Sequence, residues 1–135
     1  MIIDTSALIA IIRSESDGAI YLEALREAVE SDIPLRISAA NLFELYLVID
    51  KERNEPLSRA ADAVLTQFPL EVVSVDHEQA LAARAAHRRF GRGSGSAARL
   101  NFGDCFSYAL ARGTGEPLLF KGSDFARTDI EPALK

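Results

Sequence analysis

Short β-branched runs alternate along this chain with longer segments whose apolar residues recur every three or four positions. Met1–Asp4, in "MIID", is the first such run and predicts a strand. Thr5 or Ser6 is expected to cap a helix through Ile12, with Leu8, Ile9 and Ile12 giving its apolar face. Asp17–Ser31 continues helically until Pro34 breaks the pattern, and Leu35–Ser38 is a second strand. Ala39–Arg53 predicts a helix with Leu42, Leu45, Tyr46 and Ile49 on one stripe. Pro56 marks the start of another, to about Phe68. Leu70–Val75 alternates as a third strand, and Asp76 caps an alanine-rich helix to about Phe90. Asn101–Arg112 is the last helix, stopped by Gly113 and Gly115, and Pro117–Phe120 is a fourth strand. Strands that alternate with helices in this way predict an α/β fold, a parallel-stranded sheet flanked by helices on both faces.

Composition narrows the class. The 135 residues fit one domain, 1–135, and 48% apolar with 26% charged residues is enough for one core. No apolar run approaches the roughly 20 residues that span a bilayer, so no membrane partner is expected. No basic segment precedes the first hydrophobic stretch, so the N-terminus does not read as a signal peptide. Cys105 is alone and His77 and His87 make a poor zinc set, which together predict a cytoplasmic protein without structural zinc. The net charge is −5, weakly against a non-specific nucleic-acid binder. Its distribution is uneven: residues 1–80 hold 6 basic and 15 acidic groups, whereas residues 81–100 hold five arginines and no acid. An acidic body with one basic segment suits a polyanion held near a carboxylate site, or simply a solvated helix face.

Four acids stand where an apolar or neutral residue is expected. Asp4 ends the first strand; Glu44 lies in "AANLFELYLVID"; Asp104 lies in "LNFGDCFSYALA"; Asp124 follows the fourth strand in "LLFKGSDF". Two lie past strand C-termini and two in the first turns of helices, so all four face one edge of the sheet. Clustered carboxylates raise one another's pKa, and a divalent cation removes that cost. Hard oxygen donors suit Mg²⁺ or Mn²⁺, which can activate water and stabilise the leaving oxygen of a phosphodiester. Thr5 or Ser6 would suit a supporting role beside the ion. Taken singly, Asp4 reads as well as a helix cap, Glu44 as a solvated acid, Asp104 as an acid at a helix N-terminus and Asp124 as a turn residue. Their coincidence on one edge is what favours chemistry.

"MIIDTSALIAII", "ANLFELYLVI", "LNFGDCFSYALA" and "LLFKGSDFARTDI", in that order and spacing, resemble a PIN domain, and most closely the VapC-type toxins of bacterial toxin–antitoxin modules. The resemblance runs from Met1 to about Ile130. It implies that Asp4, Glu44, Asp104 and Asp124 form an acidic quartet that binds Mg²⁺ or Mn²⁺ and supports endoribonuclease activity, with Ser6 a hydroxyl near the metal. It further implies a small VapB-like antitoxin as partner, a homodimer, and structured RNA such as tRNA or rRNA as substrate.

Other features keep two readings. Arg84, Arg88 and Arg92 recur every four residues and could line a helix face that grips RNA phosphates, or form a salt-bridge face. "GRGSGSAARL" reads as a surface loop, since a phosphate-binding loop needs Gly-Lys-Ser/Thr opening a helix. Phe102, Phe106 and Tyr108 are expected in core or edge packing in preference to base stacking, Cys105 as a packed thiol, and both histidines as exposed. Phe43 and Tyr46 could join a dimer or antitoxin groove or the core. A phosphotransferase of the haloacid-dehalogenase kind would want a second aspartate where Ser6 stands. A receiver domain would use Lys121 but wants an early acidic pair, and a non-catalytic binding module would leave the acids unused.

Overall fold

The computed structural model describes residues 1–134. Four parallel strands, β1 (Ile2–Ile3), β2 (Leu35–Ser38), β3 (Leu70–Val73) and β4 (Leu118–Leu119), lie in the order β3-β2-β1-β4. Ile2 pairs with Arg36 on one side and Leu118 on the other, and Leu35–Ser38 runs in register with Leu70–Val73. Side chains two apart share a sheet face, so neighbours along a strand separate. Ile3, Leu35, Ile37 and Leu119 pack on one side against α1 (Thr5–Ile12), α2 (Gly18–Glu30), α3 (Ala39–Lys51) and α4 (Glu55–Gln67). Ile2 and Leu118 pack on the other against α5 (His77–Phe90) and α6 (Phe102–Thr114). Ile2, Ile3, Leu118 and Leu119 are wholly buried, each burial favouring the fold by about 1.5–3 kcal/mol. The predicted α/β architecture with helices on both faces is therefore the observed one.

Boundaries moved for identifiable reasons. The N-cap of α1 is Asp4 and not Thr5 or Ser6: its side chain accepts from the Ser6 amide at 2.9 Å. Gly113 lies inside α6, and the chain turns out of the helix only at Gly115, whose φ of 70° is the left-handed conformation glycine adopts without strain. α5 ends at Phe90, with Gly91 as its C-cap, so Arg92 lies in the following loop and the expected three-arginine helix stripe holds only Arg84 and Arg88. On α3, Leu45 and Ile49 are buried, but Tyr46 turns outward with Phe43 and Leu47. Phe102 departs furthest from expectation: it is 81% exposed and belongs to no core.

This strand order places a switch point between β1 and β4. The chain steps outward from β1 to β2 and β3, then returns to the opposite side of β1, and in open parallel sheets the crevice at such a reversal is where ligands bind. Asp4 leaves β1 there, its amide donating to the Leu119 carbonyl at 2.9 Å. Among the described residues no helix is long and apolar enough to cross a membrane.

Candidate active site

Asp4 is buried, and both of its oxygens accept hydroxyl hydrogen bonds. Ser6 Oγ donates to Oδ2 and Ser107 Oγ to Oδ1, each at 2.5 Å. Ser6 Oγ also accepts from the Lys121 amide at 3.0 Å, which ties the end of β1 to the segment leaving β4. Thr5 faces elsewhere, donating to the Asn41 carbonyl at 3.1 Å, and so braces α1 against α3.

Asp104 opens α6. Its Oδ2 accepts from the Asn101 amide at 2.7 Å while Asn101 Oδ1 accepts from the Asp104 amide at 2.8 Å, a reciprocal cap that fixes the carboxyl at the first turn. Burial pushes its pKa up to about 6; the Asn101 amide opposes that, and the charges of Asp4, Glu44 and Asp124 add to it. The charges of three of these acids therefore reach the fourth. Asp124 heads a 3₁₀ turn over Phe125–Arg127 and makes no capping hydrogen bond with its side chain.

Glu44 reaches the same edge from α3. Asn41 Nδ2 donates to the Gly103 carbonyl at 3.0 Å and to Glu44 Oε2 at 3.4 Å, linking α3 to the first turn of α6. Both neighbours are acceptors, so the amide must face them with its nitrogen, which leaves the buried Asn41 Oδ1 without a donor among the described residues. Gly103 permits the approach: a Cβ there would lie 2.3 Å from Glu44 Oε1. Sequence reasoning missed Ser107, Asn41 and Gly103. The signals were a hydroxyl three residues after Asp104, a polar residue three before Glu44, and a glycine beside Asp104, each in an otherwise apolar helix.

Lys121, the nearest lysine in sequence to Asp124, is held by Glu15 and by Asp17, the latter at 2.7 Å. Those acids raise its pKa further, and the ammonium lowers that of Asp17. Cys105 is buried beside Asp104; burial, then the Asp104 charge, pushes its thiol up to about 11, which leaves it no nucleophile. His77 and His87 are exposed, as expected. No three of the described His, Cys, Asp or Glu side chains are drawn tightly enough to enclose an ion as they stand. The donor chemistry nonetheless fits a divalent cation: oxygen ligands only, negative charge accumulated at Asp104, a donorless buried oxygen beside Glu44, and a glycine-walled seat for its carboxylate.

A profile of the PIN domain matches residues 1–131. The chain belongs to the PIN-domain family. Within it, the chain is 47% identical over 133 residues to "VapC ribonuclease Mb2780c" of Mycobacterium bovis, covering 98% of each chain. It is 50% identical over 134 residues to "Ribonuclease VapC28" of Mycobacterium tuberculosis, covering 99% of this chain and 98% of that one. Among solved structures it is similar to Mycobacterium tuberculosis VapC20, described as a sarcin-ricin loop cleaving toxin, with a TM-score of 0.71 over 96% of this chain and 95% of that one. At 18% identity that likeness speaks to the fold alone, and the PIN fold is the one found here.

Proposed function

We propose that this chain is a PIN-domain toxin of a toxin–antitoxin pair, a metal-dependent endoribonuclease that hydrolyses RNA phosphodiester bonds at Asp4, Glu44, Asp104 and Asp124. The convergence of three carboxylate charges on a fourth at the sheet's switch point carries this reading. The near-full-length similarity to proteins named VapC ribonucleases supports it. The four carboxylates would hold Mg²⁺ or Mn²⁺, and that ion supplies water activation and charge stabilisation on the leaving oxygen. The chain's own task is to present the oxygens in fixed directions. Ser6 and Ser107 set the plane of the Asp4 carboxylate, the Asn101 amide sets that of Asp104, and Asn41 with Gly103 seats Glu44. Asp124, free of a cap bond, is the ligand with most latitude to adjust.

Arg84 and Arg88 on α5, with Arg92 in the next loop, supply sequence-independent phosphate contacts to an RNA such as tRNA or rRNA. Phe43, Tyr46 and Leu47 form an exposed stripe on α3, 62%, 41% and 53% accessible, which suits a protein partner: a VapB-like antitoxin or a second copy in a homodimer. The whole chain acts as one PIN domain in the cytoplasm. The engagement of Lys121 with Glu15 and Asp17 speaks against a receiver-like phosphoryl-transfer reading. Expression without a partner should arrest growth, and Asp4→Asn should relieve the arrest. Equal toxicity from the two proteins would count against a carboxylate mechanism.

A further inference from the structure

On the face of α6 next to the carboxylates lies a cleft of about 360 Å³, at the small end for ligand sites. Ala80, Ala83, Arg84 and His87 of α5 line one wall at helical spacing, and Phe102 and Phe106 of α6 line the other. Two of the α5 wall residues are alanines, and that is what makes the wall concave. Phe102 is 81% exposed although it is a large apolar residue in the first turn of a helix. Its ring meets Phe106 edge to face, centroids 5.0 Å apart at 77°, so it is held in place without being covered. Cys105 closes the floor as an apolar, unreactive group. The mouth is basic. Among the described residues Arg84 and Arg88 form no ion pair, while neighbouring Arg89 is paired with Asp129. Cleft and carboxylates also share the first two turns of α6: Phe102, Cys105 and Phe106 line the cleft, while Asp104 and Ser107 face the acids and the Gly103 carbonyl accepts from Asn41 beside Glu44.

An apolar slot with an exposed aromatic ring, rimmed by free arginine and histidine, matches the chemistry of an unstacked nucleobase with its phosphate. We propose that this cleft receives one unpaired base of the RNA strand beside the bond to be cut, stacked on Phe102, with Arg84 and His87 on the adjoining phosphate. This rests on the ribonuclease reading and adds to it a requirement for a single-stranded nucleotide at a fixed position. Pocket shape there would set base preference next to the cut.

The test is fluorescence anisotropy of a short labelled single-stranded RNA, in chelator, with the full-length protein, its Phe102→Ala, Phe102→Tyr and Ala80→Leu variants, and cleavage mapping of each with Mg²⁺ or Mn²⁺. Both changed side chains are exposed, so the fold tolerates the substitutions. Phe102→Ala removes the stacking ring and Ala80→Leu fills the slot. Each should weaken binding roughly five- to a hundredfold, with the salt dependence unchanged, and relax base preference at one position near the cut. Phe102→Tyr keeps the ring and should bind like the wild type. Wild-type affinity and preference in both disruptive variants would overturn the assignment. So would a wild-type dimer that Phe102→Ala converts to monomer, since the cleft would then be a contact between copies. If the wild type neither binds nor cuts RNA, the ribonuclease reading fails first; if it does both and only the variants are unaffected, the cleft assignment alone fails.

Discussion

Replacing Asp104 with Asn should make the metal-free protein more stable at neutral pH. The Asp104 pKa rises from 3.8 to about 6 on folding, first through burial and then through the charges of Asp4, Glu44 and Asp124. A raised carboxyl pKa means that the folded state holds the proton more tightly than the unfolded chain does. The Asp104 contribution is therefore most favourable below about pH 4, falls as pH rises through the window from 3.8 to about 6, and carries the whole penalty above it. That displacement amounts to roughly 3 kcal/mol for a fully buried group. Asp104 is only half-buried, and solvent screening reduces the penalty to about 2 kcal/mol. An asparagine has no charge to confine, and its side-chain oxygen can still accept from the Asn101 amide. It forfeits the favourable interaction of a carboxylate with the helix N-terminus, about 0.3–1 kcal/mol. The net expectation is a gain of about 1–2 kcal/mol at about pH 7.5, shrinking to nothing or slightly below at about pH 4. Urea unfolding of both proteins in chelator at the two pH values measures it. Mg²⁺ or Mn²⁺ should then raise the stability of the wild type and leave the variant nearly unchanged. A variant less stable than the wild type at neutral pH, or a difference independent of pH, would refute the claim that Asp104 carries confined charge.

Gly103→Ala should fold normally yet lose most metal-stimulated cleavage, because its new Cβ displaces the flexible end of Glu44; circular dichroism with an activity assay separates the two effects. Ser107→Ala removes a hydrogen bond to a buried carboxylate, and urea titration at neutral pH should show a loss of about 1.5–3 kcal/mol. Replacing Arg84 and Arg88 together with Ala should weaken RNA binding and lower the salt slope by about 0.7 per lost contact to a single strand. An unchanged slope would return that helix face to solvent.

Much of this architecture was legible from periodicity. The apolar pairs Ile2–Ile3 and Leu118–Leu119 announce strands buried on both sides, and an acid just after one of them can only emerge at the C-terminal edge. Glu44 and Asp104, each early in a helix that follows a strand or a loop, are carried to that same edge. The supporting groups were not legible, because they depend on how neighbouring helices are rotated. Whether Ser107 meets Asp4 or faces away is set by the packing of α6 on β1, to which no single stretch of sequence refers. Gly103 matters only because α3 brings Glu44 against it. Phe102 misled for a related reason: an aromatic residue in an apolar helix reads as core, but this ring lies outside both buried clusters and meets Phe106 instead. Arg92 failed at a boundary, since Gly91 ends α5 one residue before it.

Cleavage of RNA should depend on a metal ion held by these carboxylates. The most direct measurement is cleavage mapping on total cellular RNA with wild-type protein and Asp104→Asn, each with Mn²⁺ or Mg²⁺ and again with chelator. The wild type should give discrete cuts with metal only, and the variant should give none. Cuts that persist in Asp104→Asn, or that survive chelation, would contradict it.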